Sequence, residues 1–277
     1  MDLLRYVAFT TDPAGGNPAG VVLDAGGLDE SVMLATAAEV GFSETAFAVP
    51  KGPGELAVRY FSPLIEVPFC GHATIATAVA YAERYGTGPL ILHTGAGEIA
   101  VTTRAGEDGT VTATLVSVAP SVEPMTDLPE LLAALRWEAA DLDPALPPRV
   151  AYAGARHPVI AAATRERLAA LDYDFAALKA LMERHGWVTV DLVWRESATV
   201  FHARNPFPTG GVVEDPATGA AAAAFGGYLR DLGLVDLPAT LTVHQGHDLG
   251  RPSTLTVTVP AEPGSGIAVT GTAVPFA

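Results

Sequence analysis

FSPLIEVPFCGHATIATAVAYAERYG, residues 61–86, is the stretch whose reading decides the fold. A short apolar run broken by two prolines leads to Cys70-Gly71-His72, and a helix follows. Ala73, Ile75, Ala76, Val79, Ala80 and Ala82 put small or apolar side chains on nearly every face, and Glu83, Arg84 and Gly86 close it. A helix that is apolar all round is a buried one. Its first turn leaves backbone N–H groups without intrahelical partners, and the macrodipole makes that end about half a unit positive. Cys70, Gly71 and His72 therefore stand where a buried helix aims its donors, and an anion such as a substrate carboxylate is the expected occupant.

The same design recurs downstream. Asn205-Pro206-Phe207 leads through Gly210-Gly211-Val212-Val213 to Glu214-Asp215-Pro216-Ala217-Thr218-Gly219, and then to Ala220–Ala224, Phe225 and Gly226-Gly227-Tyr228-Leu229. Laying Cys70 on Asp215 matches a Phe upstream, a turn and a helix of small residues, with Pro216 expected in the first helical turn. Two such elements predict a pseudo-repeat with two buried helices facing one another across a cleft.

Composition narrows the function. The 277 residues suffice for one large domain or two ordinary ones. With 31 acidic against 16 basic residues and a net charge of −15, nucleic acid and anionic membrane are excluded as expected partners, since both need a basic face. A single cysteine allows no internal disulfide and fits a reducing compartment. MDLLRYVAF lacks the basic region and long apolar run of a signal peptide, and the buried helices are too short to span a bilayer. The expectation is a soluble, cytoplasmic protein.

In chain order, residues 3–9 read as a strand, Thr11–Gly20 as a turn cluster and Val21–Leu23 as a second strand. Asp29 is placed to cap a helix through Val40, with Val32, Met33, Leu34, Ala37 and Ala38 as its apolar side. Phe42–Val49 is a strand holding Glu44 in apolar company; by itself Glu44 also fits an edge-strand solvent charge. Strands follow at 90–94, 98–103 and 110–116, the last two joined by Asp108-Gly109, a strong hairpin signal. Residues 120–148 form an acidic, proline-rich stretch with a short helix, read as a solvated face. Strands at 150–153, 159–163, 188–194 and 198–203, helices at 165–171 and 175–184, and closing strands at 241–244, 255–259 and 267–271 complete the chain. Many short strands around two buried helices argue α+β. The domain boundaries expected are 1–120, with the strand 265–277 returning to it, and 121–264.

GNPAGVV (16–22), GFSETAF (41–47), FSPLIEVPFCGHATIA (61–76), EDPATGAA (214–221) and QGHDLGRPS (245–253), taken together, closely resemble the PhzF-type phenazine-biosynthesis isomerase family, which shares the fold of diaminopimelate epimerase and proline racemase. Five ordered motifs across nearly the whole chain make the resemblance specific. It implies two pseudo-symmetric domains, each a curled, mostly antiparallel sheet wrapped around a central helix, with the active site between them. It further implies a biosynthetic, homodimeric enzyme that needs no metal or organic cofactor and moves a proton on a small carboxylate substrate. Residue by residue, Glu44 matches the general acid/base, and His72 and Asp215 match the substrate-contacting pair. Asn17, Ser43, Gly71 and Gly219 match positions lining the site, with Cys70 and Thr218 beside them. Ala220 stands where the family usually has Ser, which removes one hydroxyl and leaves substrate identity open.

The residue types suit that chemistry. A carboxylate with a reference pKa near ~4.3 is a poor base in water, and partial burial raises it toward the working range. Glu44 is then able to take a proton from one carbon and return it to another, while His72 and the helix N-termini stabilise the charge that develops. Cys70 reads either as a small buried residue or as a thiol activated by the helix start. His244 and His247 have metal-like spacing, but no clustered Cys or acid in the sequence fixes a ligand set. Three functions remain open: an isomerase using Glu44, an epimerase or racemase using Cys70 and Asp215 on opposite faces, and a non-catalytic small-acid-binding protein.

Overall fold

The computed structural model describes residues 1–276. The chain forms two compact units, Met1–Val116 together with the chain from Thr270 on, and Ser117–Val269. The first contains β1 (Leu4–Ala8), β2 (Asn17–Val22), α1 (Glu30–Val40), β3 (Glu44–Gly52), β4 (Glu55–Phe61), β5 (Glu66–Val67), α2 (Gly71–Tyr85), β6 (Pro89–Thr94), β7 (Gly97–Ala105) and β8 (Val111–Val116). The second contains β9 (Ser121–Pro124), α3 (Leu128–Leu135), β10 (Arg149–Tyr152), β11 (Arg156–Ala161), α4 (Arg165–Ala169), α5 (Phe175–His185), β12 (Asp191–Arg195), β13 (Val200–Pro206), β14 (Glu214–Asp215), α6 (Gly219–Asp231), β15 (Ala239–Gln245) and β16 (Ser253–Val259). The last strand, β17 (Ala268–Pro275), pairs with β1 and β8.

Strand pairing is pseudo-symmetric. In the first unit β1–β2 is antiparallel, β2–β3 parallel, β3–β4 antiparallel, β4–β6 parallel and β6–β7 antiparallel. In the second, β10–β11, β11–β12, β12–β13, β13–β15 and β15–β16 repeat that series in the same order. β7–β8, β8–β17 and β17–β1 close the first sheet on itself around α2. Enclosure on all sides explains why ten of the residues of α2, from His72 to Ala82, are buried with no polar stripe among them.

α6 is enclosed as tightly. A methyl group built on Gly226 would come within 2.9 Å of the Ile267 and Val257 side chains, and one on Gly227 within 2.4 Å of Pro120. Two glycines cost a helix roughly 1 kcal/mol each relative to alanine, and the close approach of sheet to helix is what requires them. Amphipathic helices cover the outer faces. Met33 and Ala37 of α1 pack over Val22, Phe47 and Phe61, whereas Leu131, Leu135, Leu178, Leu181 and Met182 of α3 and α5 cover Val150, Ile160 and Leu192.

Several local expectations change. Asn17–Gly20 is strand, not turn, because it pairs with both β1 and β3. Val32 and Ala38 are exposed, and Asp29 occupies the N-cap of α1 without a side-chain hydrogen bond to it. Pro216 lies outside α6, whose N-cap is Thr218. Cys70, the N-cap of α2, therefore corresponds to Thr218 and not to Asp215. Among the described residues, no helix is long and apolar enough to cross a membrane.

β2 and β3 approach closely beside Glu44. Gly20 on β2 faces Thr45 on β3, and a methyl group at Gly20 would meet the Thr45 Oγ1 and Cγ2 atoms at 2.6 and 2.8 Å. Thr45 is fully buried and β-branched, so it has little freedom to turn away. Gly20→Ala should destabilise the protein by about 1–3 kcal/mol, read as a lower urea midpoint, and adding Thr45→Ala should recover most of that loss.

The second unit also buries a polar chain. His157 Nδ1 lies 2.9 Å from Thr189 Oγ1, which donates to Asn205 Oδ1 at 2.7 Å; Asn205 Nδ2 donates to Asp191 Oδ1 at 3.1 Å. Burial pushes Asp191 up from 3.8 to about 7 and His157 down from 6.5 to about 4, so between those values both favour the neutral form. Between about pH 4 and 7 the unfolded chain binds fewer protons than the native state at Asp191, and stability there falls with rising pH. At His157 the unfolded chain binds more between about pH 4 and 6.5, and stability rises. The two slopes oppose. Relative to Asp191→Asn, the wild type should therefore lose roughly 4 kcal/mol as pH rises from about 4 to 7, measured from urea unfolding across that range.

Candidate active site

β3 begins at Glu44, and the parallel register with β2 sets Glu44 opposite Ala19, two residues beyond the buried Asn17. The N-terminus of α2 brings Cys70 and His72 to the same place. Cys70 Sγ donates to Glu44 Oε2 at 3.4 Å, His72 Nε2 lies 3.4 Å from that same oxygen, and Ser43 Oγ lies 3.3 Å from His72 Nε2. Cys70 Sγ is also 3.3 Å from His72 Nδ1. Gly71, between them, is the first residue of the helix.

The α2 N-terminus is held by its own side chains. Thr74 Oγ1 donates to the Cys70 carbonyl at 2.7 Å, and the buried Tyr60 hydroxyl lies 2.6 Å from Thr74 Oγ1. Such back-bonding from Thr to the carbonyl four residues earlier fixes the turn that presents Cys70 and His72.

Electrostatics follow from this packing. Cys70 and His72 are buried, and 15% of the Glu44 side chain remains exposed. Removal from water raises the Glu44 carboxyl above the ordinary range, while hydrogen bonds from Ser43 and Cys70 act against that rise. Glu44 is therefore not the solvated edge-strand charge that its sequence position also allowed. It is a carboxyl with weakened preference for the ionised form, one opening to the outside, and a thiol and an imidazole in contact.

The second unit assembles the other nominated residues. Asp215 ends the short strand β14, and Thr218 Oγ1 donates to its Oδ2 at 2.6 Å just before Gly219 opens α6. Neighbouring Glu214 is held by Arg204 in a buried two-pronged pair, which pins β14 against β13. Gln245 was not singled out from the sequence. Its Oε1 accepts from the Thr218 N–H at 3.0 Å, and its Nε2 donates to the Asp215 carbonyl at 2.7 Å and to Thr218 Oγ1 at 3.0 Å. The signal was present: alternation along β15 puts Leu241, Val243 and Gln245 on the buried face, and a glutamine there requires partners.

His244 and His247 acquire neighbours that the sequence did not place. His202 pairs directly across from His244, with ring centroids 5.2 Å apart, and Glu196 accepts from His202 Nε2 at 2.5 Å. Their ligand atoms nevertheless do not converge. Among the described residues, Glu44, Cys70 and His72 are the group whose metal-binding atoms all lie within 4.8 Å of one another.

Comparison with known proteins agrees with the geometry. Residues 6–277 match the family model described as phenazine biosynthesis-like protein, PhzC-PhzF. The isomerase YddE of Escherichia coli O157:H7, itself uncharacterised, is 34% identical over 263 residues, covering 91% of this chain and 88% of its own. The trans-2,3-dihydro-3-hydroxyanthranilate isomerase of Pseudomonas chlororaphis is 31% identical over 249 residues, covering 89% and 86%. The crystal structure of a PhzF-family phenazine biosynthesis protein from Bacillus anthracis superimposes with a TM-score of 0.89 at 28% identity, covering 100% of this chain and 98% of the other. With a full-length match of sequence and of architecture, the chain belongs to the PhzF-type, phenazine biosynthesis-like family of isomerases.

Proposed function

We propose that this isomerase moves a proton on a small carboxylic acid without a cofactor, with Glu44 as the general acid/base. The observation that carries the reading is a carboxyl raised by burial, open to the outside on one side and packed against Cys70 and His72. A base is most effective when its pKa approaches the working pH, and a desolvated glutamate moves that way. In its ionised form Glu44 takes a proton from one carbon of the substrate; the acid so formed returns the proton to another carbon, leaving the enzyme unchanged. His72 and the positive end of α2 stabilise the substrate carboxylate and the charge that spreads from it during transfer. Asp215 is assigned a substrate-contacting role on the strength of its hydrogen-bonded setting with Thr218 and Gln245, with Asn17, Ser43, Gly71 and Gly219 as lining positions.

The trans-2,3-dihydro-3-hydroxyanthranilate isomerase relative supports an unsaturated cyclic acid as the substrate class. Ala220, which offers no hydroxyl in the first turn of α6, leaves room for a substrate that differs from the phenazine precursor. Residence in the cytoplasm is carried over from the composition of the chain, and assembly as a homodimer from the family resemblance alone.

An epimerase reading has one observation in its favour, the contact of the Cys70 thiol with both His72 and Glu44. Proton exchange decides between them. In deuterium oxide, Glu44→Gln should slow exchange of substrate hydrogen, followed by proton NMR over a panel of unsaturated and amino acids, by about 10²–10⁴-fold, while Cys70→Ser keeps most of the rate. The reverse pattern would identify the thiol as the proton carrier, and binding with neither exchange nor turnover would make the protein a small-acid binder. The kcat/KM of the wild type should rise with pH through a value above the ordinary glutamate range, since the base must be ionised and burial raises its pKa.

A further inference from the structure

The geometry points to a tetrahedral zinc site formed by Glu44 Oε2, Cys70 Sγ and His72 Nε2, at which a soft divalent ion reversibly blocks the enzyme. The three edges of this ligand triangle are 3.4 Å from Sγ to Oε2, 3.7 Å from Sγ to Nε2 and 3.4 Å from Nε2 to Oε2. Zinc holds sulfur at about 2.3 Å and nitrogen or oxygen at about 2.0–2.2 Å, so neighbouring ligands in a tetrahedral site stand about 3.3–3.8 Å apart. All three edges fall in that interval, and because Sγ stands nearer Nδ1, at 3.3 Å, than Nε2, the His72 ring must turn about its Cβ–Cγ bond to aim Nε2 at the ion. The fourth vertex is left to water or to a substrate carboxylate, as in zinc sites with an open position.

Charge and chemistry favour the same occupant. A thiolate, a carboxylate and a neutral imidazole offset the two positive charges of the ion inside a largely buried site. The mixed sulfur, nitrogen and oxygen set selects zinc or cobalt over magnesium or calcium, which prefer six or more oxygens. Binding requires that Cys70 lose its proton, together with any proton on Glu44, so it becomes tighter as pH rises. The contacts that join the three groups in the metal-free protein keep them within reach of one ion, so ordering them costs only the turn of the His72 ring. Among the described residues, His202, His244 and His247 are not a group whose ligand atoms all come within 4.8 Å of one another, as Glu44, Cys70 and His72 are.

Binding rests on this geometry alone; the inhibition rests in addition on Glu44 being the proton carrier. Full-length protein stripped with a chelator and then freed of it would be titrated with cobalt(II), followed by calorimetry with zinc(II). One cobalt per chain should bind with release of protons and give the visible ligand-field bands of a tetrahedral site and a near-ultraviolet thiolate-to-cobalt band, and zinc should then displace it. Cys70→Ser should lose the thiolate band, and each of Cys70→Ser, Glu44→Gln and His72→Gln should weaken zinc by about tenfold or more. Cys70→Ala, which leaves no competing hydroxyl, serves as a second test of the sulfur ligand, with circular dichroism confirming the fold of each variant. His244→Gln and His247→Gln should leave the spectrum unchanged. A spectrum without the thiolate band, affinity unmoved by the three substitutions, or the absence of stoichiometric binding at about 100 μM metal would overturn the site. Stoichiometric binding that leaves proton exchange running would overturn the inhibition only, and loss of exchange in the chelated enzyme would count against the Glu44 reading without touching the metal site.

Discussion

A carboxylic acid withdrawn from water at the start of a strand, against the first turn of a buried helix, is the constraint to which the surrounding structure answers. Glu44 is held there because β3 lies between β2 and β4 and cannot slide in register: a one-residue shift would exchange the faces of Glu44 and of the four buried residues that follow it, Thr45–Ala48. Gly20 lets the backbones of β2 and β3 approach around Thr45, the residue next to Glu44. On the other side, the Thr74 and Tyr60 hydrogen bonds fix the turn carrying Cys70 and His72. Burial of a polar carboxyl is costly unless its oxygens are bonded, and Ser43, Cys70 and His72 supply those contacts.

The repeat places a second acid at the corresponding point. Glu44 opposes Ala19 across a parallel pair in the first unit, and Asp191 opposes Val159 across the matching pair in the second. The two have opposite fates. Asp191 is only 2% exposed, bonded to Asn205 and enclosed by the chain that runs to His157. Its neutrality serves the interior, whereas Glu44 retains an opening and reactive neighbours. Duplicated architecture thus carries a duplicated carboxyl, sealed in one copy and accessible in the other.

Much of this was legible in the residues. The all-round apolar character of 73–82 announced a central helix, and the clustered Gly and Ala of 219–227 announced its counterpart. Glu44 stood out as a carboxylate among Phe42, Ala46 and Phe47, and the five ordered motifs pointed to the family. Other features lay beyond one-dimensional reading. Pro216 suggested the wrong start for α6, because proline suits a first helical turn equally well as a turn before one. That error shifted the match of Cys70 by three residues, from Thr218 to Asp215. The role of Gln245, the first residue of the last motif, is not legible in the sequence because its partners are 27 and 30 residues away. The Asp191–Asn205–Thr189–His157 chain joins three strands' worth of isolated polar residues, none of which forms a motif.

The lack of free space around α6 limits what can replace its glycines. With Gly226 pressed to Ile267 and Val257, and Gly227 to Pro120, side chains on those faces of the helix cannot grow without displacing the sheet. In the segments before each helix the constraint is absent: Leu64, Ile65, Val212 and Val213 stand exposed, so a side chain there can change size without displacing the sheet.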